Sequence, residues 1–532
     1  MHLLRDKNFL LVWIICLAFL ILYITESMQI MSGVPFYDFD EAHRAENAKR
    51  MQEYSSFFVP LTGSNFDRVL DLRIPFKDNP DIFLYYHLER PTFIYWLMIG
   101  STRFLGQNEL AYRLPSFVLG MSVIIILIFF ASKIKPTKDY FALVFAFLSL
   151  VTSGSLWLSS QYAQLDTGLT LFLFLAILLL ILYCQYRNHE ILLFAGISWA
   201  LAVLCKGQPA VIIIFPLLYL IISKKLKLLE LVKFFAFSGI VLLPWVTVLT
   251  LHFGFVNVIK IFSGFAISSA ITEYLHHQAP FFWYIRWWFD SYKPGCVLFF
   301  ALVISDLYHH RLDWKKLTFL SYIFGSLLIL SYPKNKIWWY VLPLLPAISF
   351  YTYLSISDYI KNNSSKIFNL SLIIILASLP IFLGVSNTKA MIYGCLLVAV
   401  SILILNTHIS EKVSKFYPHL FLVALVFVLS MFYLKFPQIT PYHWGTKPVA
   451  QYYSNLPGKK CLWTGDMPQE SVLFYSNAGE VKSLNNITEI SSACTNYLIT
   501  PRGKKFLEII GKDLNRFKLL YRSNEIKLYE LH

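Results

Sequence analysis

Two adjacent carboxylates, Asp40 and Glu41, follow an apolar stretch that covers roughly residues 9–28. A stretch of that length can cross a bilayer, so the acid pair comes just after the chain leaves the membrane. The segment that carries the pair is predicted to be helical, because Glu46 and Arg50 have the spacing of a helical ion pair. A carboxylate pair at the lipid–water boundary suits an enzyme whose substrate is a lipid. The alternative is a solvated loop with incidental acids.

A third carboxylate, Asp166, comes just before the apolar run from Gly168 to Leu182. An aspartate at the edge of a membrane span either caps the first turn of the helix or faces a polar cavity. In the second interpretation, Asp166 faces the same outer cavity as Asp40.

Three lysines, Lys206, Lys334 and Lys336, lie in short turns that we assign to the outer side of the membrane. Such turns should be poor in lysine, so these cations need another reason to be there. A lipid phosphate would supply one, because it needs fixed positive charge around it. Lysines that extend from helix ends to the membrane surface are the alternative.

The composition is that of a polytopic membrane protein. Hydrophobic residues make up 57% of the chain and charged residues 14%, with a mean hydropathy of +0.56, which excludes an ordinary soluble protein. Apolar runs of roughly 14 to 21 residues recur from end to end. The first run is too long for a signal peptide and lacks a small-residue cleavage site, so we predict a retained span.

The basic residues indicate the orientation. With the N-terminus in the cytoplasm, the chain can be threaded through about thirteen spans, and the inner loops then carry clusters of lysine and arginine. This threading requires the segment Thr92–Leu105 to lie in the outer interface, because about 14 residues is short for a span. The formal charge of +15 is therefore mostly a topology signal. It does not indicate nucleic acid, because no outward basic tract is interleaved with aromatic residues.

The predicted fold class is an all-α polytopic membrane protein with a small extracytoplasmic α/β domain at its C-terminus. Residues 1–436 would form the transmembrane catalytic domain, with a first outer segment over residues 29–115 that contains interfacial helices. Residues 437–532 would form the C-terminal domain. Its predicted strands are Cys461–Thr464, Tyr497–Thr500, Lys518–Tyr521 and Ile526–Tyr529. Two helices are predicted near Glu470–Tyr475 and Lys504–Leu514. An oxidising compartment would favour a disulfide between Cys461 and Cys494, although the sequence leaves this pairing open.

Several short motifs occur in one order between about residues 30 and 350. They are Asp40–Glu46, Leu88–Pro91, Tyr95–Leu97, Glu109–Ser116, Ala163–Asp166, Cys205–Gly207, His277–Phe281, Lys334–Lys336 and Trp339–Pro343. In this order and spacing, the chain resembles the GT-C superfamily of integral-membrane glycosyltransferases. Within it, the chain is similar to the group around the lipid A aminoarabinose transferase and the protein O-mannosyltransferases. The resemblance implies the GT-C fold and a sugar donor that is linked to a polyprenyl phosphate.

The chain departs from the pattern of that group at two motifs. The acid pair is usually followed by a basic residue and a tyrosine, whereas this chain has His43 and Arg44. The usual lysine of the Glu-Lys-Pro motif is replaced by Arg90, which keeps the cation but changes its reach and its hydrogen-bonding geometry. These departures leave the sugar and the acceptor open.

The roles of the site residues follow from the charges that develop as the sugar is transferred. Breaking the bond between C1 and the phosphate oxygen leaves positive charge on the sugar ring and negative charge on the phosphate. We predict that Asp40, with Glu41 beside it, orients or deprotonates the acceptor, and that Asp166 holds the sugar. The predicted phosphate ligands are Arg90, Lys206, Lys334, Lys336 and the hydroxyl of Tyr340.

A metal is an open question in the sequence. Glu89 and His277 could bind a divalent ion such as zinc, although two such residues at this spacing do not define a metal site. An ordinary loop histidine is the alternative. We predict that catalysis requires no cofactor.

Two classes of function are compatible with these features. The favoured one is a glycosyltransferase of the bacterial inner membrane, with its active site facing the periplasm. Its acceptor would be lipid A or another envelope glycolipid, or protein as in the O-mannosyltransferases, and its sugar could be an amino sugar. A transporter or flippase of lipid-linked sugars is the alternative, because charges that face a cavity also mark transport paths. We expect a monomer embedded in membrane lipids, with no nucleic-acid partner.

Overall fold

The computed structural model shows a mainly helical protein with two small sheets. It describes residues 7–36, 39–62, 73–76, 79–87, 90–135, 140–260, 279–291, 293–334, 336–360, 365–382, 388–406, 417–434, 445–458, 460–464, 469–478, 481–483, 494–501 and 517–531. The first ten α-helices in these ranges are α1 Lys7–Gly33, α2 Phe39–Glu53, α3 Phe93–Leu105, α4 Glu109–Ile134, α5 Tyr140–Val151, α6 Gly154–Gln161, α7 Asp166–Tyr186, α8 His189–Lys206, α9 Ile214–Ile222 and α10 Leu228–Phe253. They continue with α11 Trp283–Ser291, α12 Lys293–Tyr308, α13 Trp314–Ser331, α14 Leu345–Ile360, α15 Ser365–Phe382, α16 Thr388–Asn406, α17 Tyr417–Leu434, α18 Thr446–Ser454 and α19 Gln469–Ser476.

The apolar helices make this a multi-pass membrane protein. Within the described ranges, six helices are long and apolar enough to cross a membrane, and a seventh span results if α5 and α6 are counted as one bent helix. Further apolar helices are too short to pass that test, among them Gln208–Ile222 and Pro294–Tyr308. The predicted total of about thirteen spans therefore stays a prediction.

Helix α7 lies at the centre of the bundle, and 83% of its most apolar window is buried. It packs against α4, α8 and the short 3₁₀ helix Trp338–Leu344. Gly168 permits the close approach of α8, because a Cβ at this position would lie 2.7 Å from Cys205 Sγ and 2.7 Å from Ile94 Cδ1. The first turn of α7 is therefore held against both α8 and α3.

The first outer segment contains α2, a small sheet and α3. Strands β1 Leu61–Thr62, β2 Arg73–Phe76 and β3 Asn79–Tyr86 pair antiparallel in the order β1-β3-β2. The predicted interfacial helix forms as α3, which has 13 residues and is not among the helices long enough to span. Its position in the outer interface stays a prediction.

Residues 445–531 contain a five-stranded sheet and two helices, which we call the C-terminal unit. Its strands are β4 Lys460–Thr464, β5 Lys482–Ser483, β6 Thr495–Pro501, β7 Phe517–Ser523 and β8 Ile526–Leu531. They are ordered β5-β4-β6-β8-β7, with β4 parallel to both of its neighbours and the remaining pairs antiparallel. The four predicted strands and the helix near Glu470–Tyr475 are confirmed, and Cys461 and Cys494 form a disulfide. The predicted helix Lys504–Leu514 lies outside the described residues.

Candidate active site

Glu41 anchors the start of α2 inside the protein. Arg113 of α4 binds it with two parallel bonds, 2.7 Å from Nε to Oε1 and 2.9 Å from Nη2 to Oε2. The backbone N–H of Ala163 also donates to Oε1 over 3.1 Å. Both Glu41 and Arg113 are fully buried. Glu41 therefore joins α2 to α4 and to the turn before α7, and its oxygens are occupied by protein donors.

Asp40 has the opposite environment. Its side chain is 26% exposed and receives one ion pair, 2.9 Å from Nη2 of Arg44 one turn further along α2. Burial on its own would raise the pKa of Asp40, but the positive charges of Arg44, Arg90 and Lys206 hold that pKa below its ordinary value. Asp40 is therefore a carboxylate at neutral pH, with an accessible edge that can accept a hydrogen bond.

Asp166 and Lys206 form a buried ion pair across the start of α7 and the end of α8. The distance from Lys206 Nζ to Asp166 Oδ1 is 2.5 Å, and the two side chains are 6% and 0% exposed. Oδ2 of Asp166 has no hydrogen-bond partner among the described residues. Lys206 also lies over the ring of Tyr340, with Nζ 4.7 Å from the ring centroid. Gly207 ends α8 with a φ of +74°, a conformation that glycine adopts without strain.

These side chains form one electrostatic group, which we call the charged cluster and define as Asp40, Arg44, Arg90, Asp166 and Lys206. Arg90 and Lys206 both act on Asp40, and Lys206 contacts Asp166. The set combines three cations with two carboxylates. Its cations can attract an anionic ligand.

Two of the predicted phosphate ligands make no hydrogen bond or ion pair with the described residues of the charged cluster. Lys336 is buried, and its Nζ donates to the carbonyls of Ala279 at 3.1 Å and Pro333 at 2.6 Å, so it fastens the segment before Trp338. Lys334 is exposed. In the described ranges, no hydrogen bond or ion pair connects Lys334 or Lys336 to the charged cluster.

The candidate metal ligands Glu89 and His277 lie outside the described residues. Among the residues that are described, no group of three His, Cys, Asp or Glu side chains is placed to hold a metal ion. Three residues after Asp40 on α2, Nε2 of His43 lies 3.2 Å from Nδ1 of His87. Burial, the neighbouring His87 and the cations Arg90 and Arg44 hold the pKa of His43 well below its ordinary value, so this imidazole is neutral.

Three residues of the site were not assigned roles from the sequence. Arg44 could have been found, because it stands four residues after Asp40 on a predicted helix. Arg113 and His87 could not, since each meets its partner only through the tertiary fold, 72 and 44 residues away.

Comparisons with known proteins agree with the motif resemblance. The model of the family described as dolichyl-phosphate-mannose-protein mannosyltransferase matches residues 89–251. An uncharacterized protein of Aquifex aeolicus is 26% identical over 344 residues, which are 63% of this chain and 62% of that protein. The undecaprenyl phosphate-alpha-4-amino-4-deoxy-L-arabinose arabinosyl transferase of Wigglesworthia glossinidia brevipalpis is 22% identical over 377 residues, 67% of this chain and 61% of the relative. The matches thus span about three-fifths of the length of both relatives.

The fold is shared with two solved membrane proteins. ArnT from Cupriavidus metallidurans, in a structure bound to undecaprenyl phosphate, superposes with a TM-score of 0.70 at 12% identity, covering 97% of each chain. The oligosaccharyltransferase AglB from Archaeoglobus fulgidus, in complex with an inhibitory peptide and a dolichol-phosphate, superposes with a TM-score of 0.52 at 12% identity. That match covers 91% of this chain and 69% of AglB. The resemblance to the GT-C glycosyltransferases is therefore confirmed, and at the level of the fold it extends over nearly the whole chain.

Proposed function

We propose that this protein is a glycosyltransferase that moves a sugar from a polyprenyl-phosphate donor to lipid A or another envelope acceptor. The observation that carries the proposal is the charged cluster. It combines an accessible ionised carboxylate, a second carboxylate with an oxygen that accepts no hydrogen bond from the described residues, and three cations. The reaction would take place at the outer face of a bacterial inner membrane, towards the periplasm.

The cations of the cluster suit the donor phosphate. In our proposal, Arg90 and Lys206 bind its oxygens and the Tyr340 hydroxyl donates to it, with Arg44 as a further source of positive charge. A phosphodiester that enters this set would accept charge-assisted hydrogen bonds from these cations. We retain Lys334 as a ligand that approaches when the donor binds. We assign Lys336 to holding the neighbouring segment, because its ammonium already donates to two carbonyls.

The two carboxylates take separate roles in the transfer. The acceptor hydroxyl donates to Asp40 and attacks C1 of the sugar, and its proton passes to the Asp40 carboxylate. The bond from C1 to the phosphate oxygen breaks, and the electron pair leaves on the phosphate, where the cations stabilise it. We propose that donor binding uncovers Asp166, which is buried in the free protein, and that Oδ2, the oxygen that does not contact Lys206, then accepts a hydrogen bond from the sugar. An amino sugar would offer an N–H for this contact.

Two classes of acceptor are supported by different relatives. The amino-arabinose transferase of Wigglesworthia and the fold match to ArnT favour a glycolipid. The mannosyltransferase family model favours a protein hydroxyl instead. We place the glycolipid first, because the fold match to ArnT covers almost the entire chain.

A metal ion remains a separate proposal. Zinc on Glu89 and His277 would order the loop that carries His277, and the transfer as drawn does not depend on it. Unchanged turnover after exhaustive chelation would exclude an essential metal.

Deletion of the gene tests the proposed function in cells. We expect the loss of one sugar mass from lipid A or another envelope glycolipid, and its return on complementation with the wild-type chain but not with Asp40→Asn. A loss confined to glycoproteins would move the acceptor to protein. Identical lipid and protein masses in the deleted and parental strains would contradict the proposal.

A further inference from the structure

Helix α19 of the C-terminal unit lies directly against α2, the helix that carries Asp40. Lys49 of α2 donates to the carbonyl of Phe474 over 3.2 Å and also to Asn477 Oδ1. Arg50 donates to the carbonyl of Ala478 over 2.6 Å. The C-terminal end of α2 is therefore hydrogen-bonded to a unit that lies about 430 residues further along the chain.

A buried tyrosine continues this contact towards the membrane. The backbone N–H of Phe36 donates to the hydroxyl of Tyr475 over 2.8 Å. That hydroxyl donates in turn to Oε1 of Glu109, over 3.0 Å, at the start of α4. Lys447 of the C-terminal unit lies 2.6 Å from the same carboxylate oxygen. Burial raises the pKa of Tyr475 well above its ordinary value, so its hydroxyl keeps the proton that it donates.

The ring of Phe36 connects this tyrosine to the anchor of α2. It stacks on Tyr475, with centroids 6.0 Å apart, and meets Phe474 edge-on at 4.8 Å. The guanidinium of Arg113 lies 5.0 Å from the centroid of the same ring. Arg113 is the residue that binds Glu41, next to Asp40. An unbroken series of contacts thus runs from the C-terminal unit to the catalytic end of α2.

We infer that Tyr475 is a positioning residue, through which the C-terminal unit holds α2 and so sets the place of Asp40. Among the described residues, the hydrogen bonds of Tyr475 go to Phe36 and Glu109 and not to the charged cluster, so it acts through Phe36, Arg113 and Glu41. Ordinary packing between two units is the simpler explanation of the contact. It predicts an effect on stability alone, whereas positioning predicts an effect on turnover at unchanged donor affinity. This inference rests on the proposed glycosyl transfer.

The test is Tyr475→Phe in the full-length protein, which removes the hydroxyl and keeps the ring. Tyr521→Phe is the matched control, because it removes a hydroxyl from the same unit on a ring that stacks on Tyr452. We expect kcat to fall by about tenfold in Tyr475→Phe, equivalent to roughly 1.4 kcal/mol, with the KM for donor unchanged. Hydrogen exchange of the α2 amides should become faster in Tyr475→Phe and stay unchanged in Tyr521→Phe.

A second pair of variants tests the same inference if the Tyr475→Phe protein does not fold. Lys49→Met removes the bonds from α2 to Phe474 and Asn477, and Lys460→Met removes bonds to carbonyls within the C-terminal unit only. Faster α2 exchange and lower kcat in Lys49→Met, with neither change in Lys460→Met, would support positioning.

Measuring both kcat and hydrogen exchange distinguishes a failure of this inference from a failure of the proposed glycosyl transfer. Faster exchange with unchanged kcat, or lower kcat with unchanged exchange, would overturn the positioning role. If the wild-type protein transfers no sugar at all, the proposed function fails, and the exchange rates alone still decide whether Tyr475 holds α2.

Discussion

Asp40 and Glu41 are neighbours in the chain, yet the fold gives them opposite environments. Consecutive residues of an α-helix point about 100° apart, so one of the pair can face the core while the other keeps an exposed edge. Glu41 is fully buried against Arg113, whereas Asp40 keeps an exposed edge. We therefore assign the proton transfer to Asp40 and an anchoring role to Glu41. The sequence analysis gave the acceptor role to Asp40, with Glu41 beside it, but could not predict that Glu41 is buried against Arg113, which stands 72 residues away.

Glu41→Gln should destabilise the protein, because it leaves Arg113 as a buried charge without its partner. Breaking such a pair costs about 3–5 kcal/mol. We expect a lower Tm and poor recovery from detergent, with Glu53→Gln, an exposed member of the same helix, as the control. Wild-type stability in Glu41→Gln would show that the ion pair does not anchor α2.

Lys206→Met should weaken binding of undecaprenyl phosphate by about 1.5–3 kcal/mol, the value of a hydrogen bond to a charged group. Lys224→Met, which removes an exposed lysine that follows α9 and does not belong to the cluster, serves as the control. Isothermal titration with the purified protein gives both affinities. Equal affinities for Lys206→Met and the wild type would mean that Lys206 forms the ion pair with Asp166 but does not bind the donor phosphate.

Donor binding should raise the pKa of Asp40. The cations that hold this pKa low in the free protein are the proposed phosphate ligands, and a bound phosphate would offset their charge. The free protein determines kcat/KM and the donor complex determines kcat. We therefore expect the acidic limb of the kcat profile to lie at higher pH than that of kcat/KM. Coincident limbs would contradict a shared cluster.

At the scale of elements, the location of α3 decides whether the site residues share one compartment. If Phe93–Leu105 lies in the outer interface, Gln107 is outside and Lys133 inside; if it crosses, the two exchange sides. We expect an impermeant thiol reagent to label Gln107→Cys and not Lys133→Cys in intact cells, in a background without free cysteines. Both positions are exposed, which makes them fair probes. The reverse labelling would separate Asp166 from Asp40.

Regular elements could be predicted from the sequence, and irregular ones could not. Alternating apolar residues and flanking turn residues were enough to predict β6 and β8. The short apolar run before Gly106 was enough to predict α3. The 61° bend between α5 and α6 could not be predicted, because a Ser-Gly pair is the one feature of the sequence at that point that suggests a break. Such bends and short helices obscure the number of spans, because hydropathy measures the length of an apolar run and not its path. The carbonyl contacts of Lys336 could not be predicted for a related reason, since they are fixed by loop geometry.

At the scale of the whole molecule, the site is assembled from distant parts of the chain. Helix α2 contributes Asp40, the start of α7 contributes Asp166 and the end of α8 contributes Lys206. The 3₁₀ helix Trp338–Leu344 contributes Tyr340. The C-terminal unit closes the arrangement from behind α2. A transporter would need the halves of such a site to separate, whereas a transferase needs them held in register.

Transfer by the purified protein in liposomes tests the central claim most directly. The measurement is the mass of lipid A after incubation with an undecaprenyl-phosphate-linked sugar, for the wild type, Asp40→Asn and the control Glu53→Gln. We expect the wild type and Glu53→Gln to add one sugar at similar rates. Asp40→Asn should be slower by about 10²- to 10⁴-fold, the usual contribution of a general base. Transfer by a well-folded Asp40→Asn protein at the wild-type rate would contradict the account.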